Sequence, residues 1–151
     1  MPATLIIGYG NPMRSDDGIG WRVAEELSPQ LNNPEIEVLK CQQLTPELAE
    51  RISKATLVIF VDVVAGTRPG EWTCREILPD TERATFSHSS SPTGLLLLAR
   101  VLYGAVPQAY FFTMCGKSFD HGDSLSATVE ARLPSMISEI KTMVENAHHR
   151  K

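Results

Sequence analysis

The sequence predicts an α/β fold: a three-layer sandwich with a mostly parallel five-stranded sheet, one antiparallel edge strand, and helices on both faces. Three observations carry this. Apolar runs with little alternation recur at Ala3–Gly8, Thr56–Val61 and Ala109–Met114, as strands buried on both faces require. Helical stretches fall between strands in the order β-α-β-α-β-β-α-β-α, and such alternation builds a parallel sheet. The return after Thr56–Val61 passes through only Gly66-Thr67-Arg68-Pro69-Gly70, so Glu71–Ile77 is expected antiparallel at an edge.

Taken in order, Ala3–Gly8 suits a central strand. The helix expected from about Gly18 to Leu31 places Ile19, Val23 and Leu27 four residues apart, with Ala24 and Leu31 widening the apolar stripe. Asn32-Asn33-Pro34 ends it. Ile36–Leu39 is a less apolar strand nearer an edge. Thr45-Pro46-Glu47 reads as a helix start, with Thr45 as cap and Pro46 at the first helical position, and that helix runs to about Ser53. Thr56–Val61 delivers Asp62 at its carboxyl end. Ser91 caps a buried helix that begins at Pro92 and stops at Gly104. The last helix is expected from about Pro134, with a separate helical turn over Ser126–Arg132 that the proline interrupts.

Composition bounds the partners. The chain has 151 residues, 42% hydrophobic and 21% charged, which fits one domain over 1–151 able to bury its own core. A net charge of −4 favours neither nucleic acid nor an anionic membrane surface. Cys41, Cys74 and Cys115 are widely spaced and form neither a disulfide framework nor a structural zinc motif. No secretory signal and no apolar span of about 20 residues is apparent, so a cytoplasmic protein is expected.

Three loops carry residues with chemistry. Asp16 and Asp17 stand where a helix begins, and taken alone one would cap it and the other complement its dipole. Asp62 follows an apolar strand, near the top of the sheet. His88 lies in the polar loop Ser87–Ser91, where a solvated histidine is the plain expectation. Taken together, Asp17, Asp62 and His88 form an O, O, N set with open positions, suited to metal-assisted hydrolysis or to recognising a metal held by a substrate. No His-Glu-x-x-His occurs. A dinucleotide site fails because Met13 stands at the third glycine of G-x-G-x-x-G, and Lys40-Cys41 where a ribose-binding acid is needed. The phosphate-loop pattern G-x-x-x-x-G-K-S/T is absent, because Phe111 stands at its first glycine ahead of Gly116-Lys117-Ser118, and no cysteine or serine sits in a recognisable nucleophile elbow.

Gly8-x-Gly10-Asn11-x-x-x-x-Asp16-Asp17-Gly18-x-Gly20 resembles the opening motif of the nickel–iron hydrogenase maturation endopeptidases. The resemblance continues through Val61-Asp62, Ser87-His88 and Phe119-x-x-Gly122-x-x-Leu125-Ser126. It implies a twisted five-stranded sheet flanked by helices. It also implies an activity: removal of a C-terminal peptide from the hydrogenase large-subunit precursor once nickel has been inserted. Asp17, Asp62 and His88 fall on the family's metal-contacting positions, Asp17 where some members carry Glu. On this reading the nickel is supplied by the precursor, no organic cofactor is used, and the protein is a monomer. Asp16 is then support for the site or a helix cap.

Many members carry Asp-Gly-Gly-Thr after the second strand, where this chain has Cys41-Gln42-Gln43-Leu44-Thr45-Pro46-Glu47. That stretch, with His88–Pro92 and Leu102-Tyr103-Gly104, is similar to the branch serving bidirectional NAD(P)-linked hydrogenases. The competing readings are a non-catalytic nickel-sensing assembly factor and a nucleotide-binding protein.

Overall fold

A computed structural model describes residues 3–81 and 90–149. Its centre is one five-stranded sheet in the order β2-β1-β3-β5-β4. The strands are β1 (Thr4–Tyr9), β2 (Ile36–Cys41), β3 (Leu57–Val64), β4 (Trp72–Ile77) and β5 (Gln108–Cys115). β1, β2, β3 and β5 pair in parallel, and β4 closes the β5 edge antiparallel. The expected edge positions of the second and fourth strands are therefore both found.

Side chains alternate between the two faces of a strand, and here both faces are apolar. Ile6, Ile59, Val61, Phe112 and Met114 join the cluster under α1 (Ile19–Leu27) and α4 (Ala127–His149). Leu5, Ile7, Val58, Phe60 and Ala109 join the one under α2 (Leu48–Ser53) and α3 (Pro92–Tyr103). This double burial is why β1 and β3 read as unbroken apolar runs rather than alternating ones.

α3 begins and ends where its sequence signals place it. The Ser91 side chain accepts the Gly94 N–H at 3.1 Å, and Gly104 takes a left-handed φ of 70°. Leu95, Leu96, Leu97 and Leu98 are all buried. Other boundaries differ from expectation. A short 3-10 helix over Ser15–Gly18 precedes α1, which ends at Leu27, four residues early. Leu31 still reaches the core through a turn in which its N–H meets the Leu27 carbonyl. α2 starts at Leu48, and Thr45 contributes its carbonyl to the Leu48 N–H rather than a side-chain cap.

The largest departure is α4. Pro134 does not divide it: one helix runs from Ala127 to His149 with the proline inside. Val129, Leu133, Met136, Ile137, Ile140 and Val144 make one continuous buried stripe through that position. Burial of this stripe outweighs the backbone hydrogen bond that proline removes. Among the described residues, no helix is long and apolar enough to cross a membrane.

Candidate active site at the carboxyl edge of the sheet

The connections out of β1 and β2 set the place. α1 leads from β1 to β2 over one face, and α2 leads from β2 back across β1 to β3 over the other. Strand order therefore reverses at β1 and β3. In an open α/β sheet the crevice outside the carboxyl ends at such a reversal is where ligands bind.

The glycines of the first loop allow this edge to close tightly. A Cβ on Gly8 would stand 2.0 Å from the Gly20 carbonyl oxygen, and one on Gly20 would stand 2.5 Å from the Tyr9 nitrogen. Only a pair of glycines lets α1 start this close to β1. Gly10, at φ 139°, turns the chain beneath Asp17. The loop is then zipped to the β5–α4 connection: the Ser15 N–H donates to the Gly122 carbonyl at 2.8 Å, and the Gly122 N–H to that of Met13 at 2.8 Å. Ser15 Oγ donates to the Asp120 carbonyl at 2.7 Å, which helps to hold Ser15 at a φ of 53°.

Asp16 and Asp17 part company here. Asp16 is fully buried, and its carboxylate accepts the N–H groups of Lys117 (2.7 Å), Ser118 (2.9 Å) and Ser126 (2.7 Å) together with Ser126 Oγ (2.8 Å). Burial raises its pKa, but these hydrogen bonds outweigh it and hold the group below the ordinary aspartate value. The helix-capping role expected for this pair is absent, since neither the 3-10 helix nor α1 has a side-chain cap. Asp16 instead fastens the far loop. Asp17 is only partly buried, and one of its oxygens accepts the Asn11 N–H at 2.9 Å.

Asp62 lies within β3 rather than after it, because Val63 and Val64 continue the pairing with Met114 and Cys115. Its Oδ1 accepts the N–H of Val63 at 2.7 Å. Burial raises its pKa from 3.8 to about 7; the Val63 bond works against that, and the charge on Asp17 adds to it. Asp62 thus feels the charge of Asp17, with both carboxylates on the carboxyl side of the sheet. His88 lies outside the described residues. Among those residues, no group of three His, Cys, Asp or Glu side chains is placed to hold a metal ion.

Tyr9 stands beside this candidate site, a placement the sequence motifs do not reveal. Gly8 pairs with Val61, so Tyr9 comes next to Asp62 on the α2/α3 face of the sheet. Burial, then the Asp62 charge, push its phenol far above the ordinary value. The signal in the sequence was a lone tyrosine between two close-packed glycines of the motif. Beyond Asp62, a cavity of about 200 Å³ opens along the same edge, lined by Val64, Gly66, Arg68, Thr73, Thr113 and Cys115. A roomier one of about 460 Å³ lies at the opposite edge, beside Asn33 and His148, away from the carboxylates.

Solved structures share this arrangement of strands and helices. The [NiFe] hydrogenase maturation protease HycI from Thermococcus kodakarensis KOD1 aligns over 94% of this chain and 92% of its own, with a TM-score of 0.75 and 23% identity. The hydrogenase maturating endopeptidase HybD from E. coli aligns over 97% and 94%, with a TM-score of 0.74 and 23% identity. The hydrogenase 2 maturation peptidase from Thaumarchaeota archaeon SCGC_AB-539-E09 aligns over 94% and 97%, with a TM-score of 0.72 and 22% identity. The fold is the one these maturation proteases share. No protein-family model matches the sequence, and no curated protein matches it. On that fold, Asp17 and Asp62 occupy the strand-order reversal, which is where a doubly wound sheet offers its crevice.

Proposed function

We propose that this protein is an endopeptidase that removes the C-terminal extension of a nickel–iron hydrogenase large-subunit precursor after nickel insertion. The observation that carries this is the meeting of Asp17 and Asp62 at the β1/β3 reversal of a fold shared with hydrogenase maturation proteases. Two carboxylates held close in partial burial repel each other, and a cation presented between them relieves that repulsion. Nickel bound in the precursor is such a cation, and His88 completes the donor set by resemblance. The chain's own residues then do two things: they read whether nickel is present, and they set the scissile peptide beside it. The nickel is substrate-borne and supplies Lewis acidity at the peptide to be cut.

The cleft beyond Asp62 supports a peptide substrate, because it continues along the sheet edge from Thr113 to Arg68. By sequence resemblance at Cys41–Glu47, the substrate belongs to the bidirectional NAD(P)-linked branch. The protein acts as a cytoplasmic monomer with no organic cofactor.

A cleavage assay on nickel-loaded precursor, read by mass spectrometry, tests this. Wild type shortens the loaded precursor and leaves the nickel-free one intact. Asp17→Ala, Asp62→Ala and His88→Ala each lose at least about 100-fold in rate, the scale on which removing a transition-state contact acts. Precursor that is bound but never shortened would replace this reading with that of an assembly factor. Cutting that survives all three substitutions would place the chemistry elsewhere.

A further inference from the structure

One line of side chains crosses the whole sheet at its carboxyl edge. Strand register pairs Cys41 with Tyr9, sets Tyr9 next to Asp62 one step beyond the Gly8–Val61 pair, pairs Asp62 with Thr113, and pairs Thr113 with Thr73. Each strand contributes one residue, and paired residues share a face. Tyr9 and Cys41 pack against the core beneath α2 and α3, so the line runs along that side.

Within this line Asp62 has one strong neighbour. Thr113, on one flank, is engaged with Thr73, with their hydroxyl oxygens 3.1 Å apart. On the other flank stands Tyr9, a half-buried side chain packed against the core, whose hydroxyl is a donor suited to a carboxylate acceptor. Cys41, beyond it, is a weak acceptor. Asp62 is the strong acceptor in this line, and the register stands the Tyr9 side chain beside it on the same face of the sheet. The bond from Val63 is made to Oδ1, and a donor on the neighbouring strand would give the carboxylate a second fixed reference.

We propose that Tyr9 is a positioning residue: its hydroxyl, brought beside Asp62 by the β1–β3 register, holds that carboxylate in the orientation in which it meets the substrate. This rests on the protease reading above. Phenylalanine would fill the same space in the core, so the hydroxyl is the part of residue 9 with a task. Partners that orient a ligating carboxylate typically cost 10–100-fold in activity when removed.

Tyr9→Phe tests this in two ways. With nickel-loaded precursor, kcat falls about tenfold or more while KM stays within about twofold, because orientation is needed chiefly in the transition state. In urea denaturation at pH 8 without substrate, Tyr9→Phe lowers the unfolding midpoint in the wild-type background. It lowers it far less in the Asp62→Ala background, since the double-mutant cycle removes the shared contact. Equal midpoint shifts in both backgrounds would overturn the contact. An unchanged kcat with the coupling present would overturn the catalytic role. Wild-type protein that leaves precursor uncut overturns the protease reading, and the denaturation cycle then still decides the contact between Tyr9 and Asp62.

Discussion

Asp16 and Asp62 are both withdrawn from water, yet their surroundings drive them in opposite directions. Asp16 meets four donors and no acceptor. Its folded pKa lies below the unfolded one, so its contribution is complete above about pH 4 and is lost as pH falls through the lower folded value. Asparagine at this position would turn an amide N–H₂ toward those donors. We expect Asp16→Asn to cost about 3 kcal/mol at pH 7, as read from urea denaturation, and a loss under about 0.5 kcal/mol would contradict the role assigned to it. Asp62 behaves the other way. Its folded pKa is raised from 3.8 to about 7, so the native state holds the proton more tightly than the unfolded chain does. The stability it contributes is complete below about pH 4 and is lost as pH rises through about 7. Asp62→Asn is therefore expected to match wild type near pH 4 and to exceed it above pH 7, by at most about 4 kcal/mol. Denaturation midpoints at pH 4, 6 and 8.5 check this, and parallel curves for the two proteins would refute it. A charge kept at a cost to stability is what a site for a cation requires.

At the scale of elements, the clearest signals in the sequence were the local ones. Ser91-Pro92 and Gly104 mark both ends of α3 because a cap and a left-handed glycine act within a few residues. β1 and β3 were legible because burial on both faces removes alternation. What could not be read locally was set at a distance. Pro134 breaks a helix in isolation, but α4 is held by a stripe from Val129 to Val144 packed against α1 and the sheet, and Arg22 on α1 pairs with Glu130 on α4. The role of Asp16 was hidden in the same way, since its partners lie more than 100 residues on. Tyr9 was hidden because only strand register puts it beside Asp62. The placement of Asp17 and Asp62 at the carboxyl edge was legible, because the strands that lead to them, β1 and β3, are unmistakable. Pro134 offers a test of this account. Its side chain is exposed, so Pro134→Ala removes little packing and restores a backbone donor inside the helix. A gain of about 1–3 kcal/mol is expected in thermal or urea unfolding, whereas a loss would mean that the proline's fixed backbone is itself part of the native packing.

For the whole molecule, the proposed function requires that nickel come with the substrate rather than reside in the protein. The fold is held by two apolar layers, one on each face of the sheet, and the motif loop by backbone and Asp16 hydrogen bonds. Asp17 and Asp62 are only partly buried at the carboxyl edge of the sheet, and the groups that fix Asp16 belong to the separate β5–α4 connection. If nickel arrives with the substrate, the protein's own stability and competence do not depend on a resident ion. Protein dialysed against a chelator and then freed of it should keep its Tm within about 1 °C, a margin well below the several degrees that losing 1 kcal/mol produces in a domain of this size. It should also cut nickel-loaded precursor at the untreated rate. Treating the precursor instead, by preparing it without nickel, should abolish cutting. The two treatments separate the alternatives: a Tm that falls on chelation, or activity restored by adding nickel to the treated protein alone, would place the metal in the protein rather than in its substrate.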